Sequence, residues 1–90
     1  MAQRINYSYV ISQANDIQNL SGDLSYEINK LETILSQIKT NWYGPASEEY
    51  QRQLLRLIND MKSTKNDMSS LSSRIKDAAL NIRNEDEKLS

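Results

Sequence analysis

Pro45, the only proline of the chain, directly follows Gly44, one of only two glycines. Gly44 can take the positive φ that ends a helix, where a Cβ would clash. Pro45 carries a φ already suited to the first helical position and lacks an amide that would find no partner there. Ala46-Ser47-Glu48-Glu49 follow, placing acidic side chains in a first turn where the helix dipole favours them. A break of this kind in mid-chain favours one solution: a helix up to it, a tight turn, and a helix running back.

The apolar positions agree. Before the break they form a ladder of alternating four- and three-residue steps: Val10, Ala14, Ile17, Leu24, Ile28, Leu31, Leu35, Ile38 and Trp42, interrupted at Ser21. Such steps are the seam of one helix packed lengthwise on another. Leu20 and Ile34 widen the stripe. Asn6 is placed to cap the first turn, with Ile5 and Val10 at the positions of a hydrophobic staple. After the break a second ladder runs Tyr50, Leu54, Leu57, Met61, Thr64, Met68, Leu71, Ile75, Ala78, Ile82, Glu85 and Leu89, with Ile58 and Ala79 beside it. Glu48 with Arg52, and Arg56 with Asp60, stand four apart and can pair on a solvated face, worth a few tenths of a kcal/mol each. The pattern predicts an all-α, single-domain antiparallel helical hairpin. Its helices cover about 6–41 and 46–86, with a turn at 42–45 and a tail to residue 90. At 1.5 Å per residue the rod would be roughly 50–60 Å long.

Composition narrows the function. With 11 basic and 12 acidic residues the formal charge is -1. A nucleic-acid binder needs a basic face to displace counterions, and an anionic membrane surface asks for the same. Cysteine and histidine are absent, which removes thiolate sites, the commonest general base and the commonest transition-metal ligand. No phosphate loop occurs, and a simple hairpin forms no deep cleft. The expectation is therefore no enzyme, no catalytic residue, no metal and no cofactor. Glu85-Asp86-Glu87 lacks the spacing of a calcium loop. No apolar run is long enough for a membrane span, and no signal peptide opens the sequence.

A hairpin buries only the strip between its helices, and both stripes are wider than that. Small chains without disulfide or metal usually complete their core by association. The expected assembly is an elongated four-helix bundle of two hairpins. A homodimer is the first choice; a heterodimer with a related hairpin protein or with a larger secreted substrate is the alternative. With the turn centred on Gly44, Ser21 lies near the level of Thr64, and Gly22 is adjacent. These small side chains are the expected waist at which a facing hairpin crosses.

Trp42-Tyr43-Gly44, set in the turn of such a hairpin near mid-chain, resembles the WXG family of small early-secreted-antigen-like proteins. The resemblance covers essentially the whole chain. It implies export by a type VII (ESX-type) secretion system without a cleaved signal peptide, from a cytoplasmic pool, in contact with the secretion ATPase. It also implies a non-enzymatic role as effector or as co-secreted or chaperone partner, in a virulence-associated setting. Many members carry Tyr-x-x-x-Asp/Glu after the second helix; here no tyrosine is followed four residues later by an acid. Ile82, Asp86 and Leu89 resemble a variant tail signal instead. The rival reading is a cytoplasmic coiled-coil adaptor without a secretion role, for which Trp42 would simply close the end of the core.

Overall fold

A computed structural model describes residues 4–89, apart from the side chains of Asp86, Lys88 and Leu89. The first helix starts where Asn6 was expected to cap it. The Asn6 Oδ1 accepts from the Tyr9 amide at 3.2 Å, and the Asn6 carbonyl accepts from the Val10 amide at 3.0 Å. Helix α1 spans Tyr7–Asn41 and α2 spans Pro45–Leu89. They lie side by side, antiparallel, in a rod of 69 × 18 × 11 Å. The rod exceeds the expected length because α2 is 45 residues long, about 67 Å at 1.5 Å per residue, and continues through 87–89. Glu85 and Glu87 therefore stand in a helical last turn, against the sign of the dipole.

The α1 seam is the expected ladder. Ala14, Ser21, Ile28 and Leu35, seven residues apart, are its buried members. Val10, Ile17, Leu24, Leu31 and Ile38 beside them are half-buried.

The α2 seam is rotated from the expected one. Ser47, Ile58, Ser72 and Ala79 are buried, whereas Tyr50, Leu57 and Leu71 are 55%, 49% and 41% exposed. Leu54, Met61, Met68, Ile75 and Ile82 belong to both ladders and are half-buried. Two stripes thus compete for the seam, and the one with smaller side chains wins. Small residues let the helices come close, and their hydroxyls find acceptors there. The Ser72 Oγ donates to the Ala14 carbonyl at 2.7 Å. The Ser21 Oγ donates to the Lys65 carbonyl at 3.1 Å and lies 2.9 Å from the Ser69 Oγ. Satisfied in this way, a buried hydroxyl costs little.

Apolar mass is concentrated towards the turn. Ile28, Leu35 and Ile58 form a cluster against which Leu24, Leu31, Leu54 and Met61 pack. The ion pairs are also redistributed: Arg52 reaches Glu49 at 2.7 Å rather than Glu48, and Lys62 bridges to Glu32 at 3.8 Å across the helices. The hydrogen bond from Arg52, then that from Gln53, hold the Glu49 carboxyl below the usual carboxylate range. No helix among the described residues is long and apolar enough to cross a membrane.

Candidate functional site

At the tip of the hairpin the chain reverses in three residues. Trp42 leaves the helix in an extended conformation (φ −140, ψ 116), and its amide still donates to the Ile38 carbonyl at 2.9 Å. Gly44 has φ 124, in the region that L side chains avoid. Its carbonyl accepts the Glu48 amide, the first bond of α2, at 3.1 Å. The Tyr43 hydroxyl donates back to the Thr40 carbonyl at 2.9 Å.

A serine that pattern reading passed over locks this arrangement. Ser47 is fully buried; its Oγ donates to the Trp42 carbonyl at 2.7 Å and accepts from Gln51 Nε2 at 2.9 Å. The carbonyl following the last helical residue of α1 is thereby satisfied from the first turn of α2. The only sequence signal for this role is a small hydroxyl two residues after a proline at N1, and that position also suits an ordinary exposed helix start.

With its backbone held, Trp42 does not enter the interhelical core. The residue is 43% exposed, and its indole stacks on Tyr50, ring centroids 5.8 Å apart and planes 27° apart. Trp42, Tyr50, Ile38, Leu54, Leu57 and Gln53 line one open apolar hollow.

That hollow is the tip end of a longer face, called here the front face. On α2 it continues down the line of Tyr50, Leu57 and Leu71, and on α1 through Leu20 and Ile34, which are 56% and 46% exposed. Between these lines Leu24, Leu31, Met61 and Met68 are half-buried. Large apolar side chains left exposed along one face, here interrupted by Glu27 and Thr64, are the usual mark of a contact surface. The opposite, back face carries Glu32, Ser36, Lys39 and Lys62 around the exposed Leu55, with Leu80 exposed further along α2.

The family model described as proteins of 100 residues with WXG, WXG100, matches residues 3–87. The chain belongs to the WXG100 family. Membership places this hairpin among small type VII secretion substrate-like proteins, which are not known enzymes. No curated protein and no solved structure matches the chain.

Two other expected sites are arranged differently. The waist residues do not share a surface. Ser21 is 1% exposed and faces α2 of its own chain, while Gly22 and Thr64 are exposed. Ser21 meets Lys65 and Ser69 instead of Thr64, a consequence of the rotated α2 seam. In the tail, Ile82 is half-buried, and the Arg83 guanidinium sits 4.2 Å above the Tyr7 ring. Arg83 also lies 3.9 Å from the Glu87 carboxylate. Ile82 and Arg83 therefore belong to the packed rod, because α1 begins early enough to meet them. The side chains of Asp86 and Leu89 lie outside the described residues.

Proposed function

We propose that this WXG100 protein is exported through a type VII secretion system as a dimer of hairpins joined by their front faces, serving as an effector or as a co-secreted or chaperone partner. The observation that carries this reading is the tip. Trp42 is kept on the surface by a buried serine–carbonyl bond and stacked on Tyr50, where a receptor can reach it. An indole used only to close the core would have been turned inward. Half-exposed aromatics are also the side chains that most often anchor protein–protein contacts. On this reading Trp42, Tyr43 and Gly44 form the determinant recognised by the secretion ATPase, with Gly44 supplying the conformation and Trp42 the contact.

The end of α2 is the second part of the address. Glu85 and Glu87 oppose the helix dipole, at a cost of about 0.3–1 kcal/mol each at low salt. Arg83 offsets Glu87 with an ion pair at 3.9 Å, and on this reading recognition of the tail by a partner accounts for the other acids. Since Ile82 and Arg83 pack on the rod, the address reduces to residues 84–90, with Asp86 and Leu89 as its recognised side chains.

The test compares culture supernatant from unlysed cells with and without the secretion ATPase. The protein is expected in the supernatant only when the ATPase is present. Removing residues 84–90 should leave a folded hairpin and abolish export. A protein that stays inside cells with an active ATPase would favour the cytoplasmic adaptor reading instead.

A further inference from the structure

The front face carries an uneven distribution of charge. Position by position, Gln53, which lines the front hollow, is followed at seven-residue intervals by Asp60 and Asp67 on the same edge of α2. On α1, Asp16 and Asp23 flank the Leu20–Ile34 line, and Glu27 stands on that line midway between the two apolar side chains. The register set by Ser21 and Lys65 puts Asp60 and Asp67 at the same heights as these α1 acids. Five carboxylates therefore crowd the middle of the rod along roughly 16 Å of α1. Two cations stand near them: Lys30, 3.6 Å from Glu27 and 4.3 Å over the Tyr26 ring, and the exposed Arg74, the next seven-residue step after Asp67 on the same edge of α2. Among the described residues no ion pair reaches Asp16, Asp23, Asp60 or Asp67. The compensating cations Lys39, Lys62 and Lys65 line the back of the rod.

These acids straddle the midpoint of α1 (Tyr7–Asn41). A two-fold dimer that overlaps two rods along their lengths brings midpoint to midpoint, whether the rods run parallel or antiparallel. A second copy would therefore set two acidic bands against each other, at separations comparable with the Debye length of about 8–10 Å. Like-charge juxtaposition at an interface rejects a partner, and the opposite sign selects one.

We infer that the front face is built for a different chain: a helical partner with an apolar strip flanked at mid-length by lysine or arginine, and that it selects against a second copy of itself. The inference rests on the front face being the pairing surface, and it names the class of partner.

A charge-inverted copy serves as the probe. Asp16, Asp23, Glu27, Asp60 and Asp67, all exposed, are replaced together by lysine, and helicity is checked by circular dichroism. Sedimentation at low salt should show wild type pairing with the lysine variant at least tenfold more tightly than with itself. In parallel, the variant D16N/D23N/E27Q/D60N/D67N should self-associate at least tenfold more tightly than wild type, which keeps the test decisive if the lysine variant folds poorly. Wild type that pairs with itself as tightly as with the inverted copy, or neutralisation without effect, would overturn the inference. So would pairing with the inverted copy that survives Leu57→Glu, since the surface would then lie elsewhere. These are measurements on purified chains, so absence of the protein from culture supernatant would remove the export reading and leave the partner class standing.

Discussion

The half of the rod near the turn and the half near the chain ends share one seven-residue repeat and fill it with different chemistry. Towards the turn the seam holds Ile28, Leu35 and Ile58, packed by Leu24, Leu31, Leu54 and Met61. Towards the ends it holds Ala14, Ser21, Ser72 and Ala79, stitched by hydroxyl-to-carbonyl bonds. Burial of large aliphatic side chains contributes about 1.5–3 kcal/mol each, whereas a satisfied hydroxyl contributes about 1 kcal/mol net. Hydrophobic contact is tolerant of sliding, and hydrogen bonds between fixed pairs are not. The turn half therefore supplies most of the cohesion and the far half most of the alignment.

The largest effect expected from this division is at the turn half. Ile58→Ala should lower unfolding free energy by about 2–5 kcal/mol, read from urea melts. A loss no greater than that from removing a seam hydroxyl would collapse the distinction. Next comes Ser21→Leu. Because Ser21 faces its own chain's α2, the added bulk should splay the hairpin and cost about 1–3 kcal/mol by overpacking. A gain in stability would show that the far half is merely underfilled. Ser72→Ala removes the donor to the Ala14 carbonyl and should cost about 1 kcal/mol, with more heterogeneous register seen by paired spin labels on α1 and α2. Last in stability is Trp42→Ala. Loss of the half-exposed stack on Tyr50 should cost under about 1 kcal/mol while secretion falls severalfold. Export falling only in step with the folded fraction would assign Trp42 to packing alone.

The hairpin, the Asn6 cap, the Gly44-Pro45 reversal and the α1 seam were all legible in the sequence, because each rests on local stereochemistry or on a single dominant stripe. The α2 seam was not. Leu54, Met61, Met68, Ile75 and Ile82, with Ser47 one repeat before them, fit two ladders, and the choice lay between companions Tyr50, Leu57 and Leu71 and companions Ile58, Ser72 and Ala79. Apolar content favours the first set; interhelical distance and carbonyl acceptors, which only the assembled pair supplies, favour the second. Ser47 was hidden for the same reason, since its acceptor is a carbonyl across the turn. Of the candidate site, the Trp42-Tyr43-Gly44 turn was visible from its position. The outward rotation of Tyr50, Leu57 and Leu71 could be seen only once the seam was known.

The serine bonds of the far half have a consequence for how such a chain can change over time. Ser72 and Ser21 donate to backbone carbonyls, so the bonds need a small side chain at the buried Ala14 but no particular polar group there or at Lys65. Alignment of the two helices is thus held by a few internal hydroxyls and is uncoupled from the outward-facing leucines and carboxylates. Substitutions at Leu20, Glu27, Leu57 or Asp60 can alter which molecule is bound without shifting one helix along the other. A rod indexed from within can acquire a new partner by surface change alone.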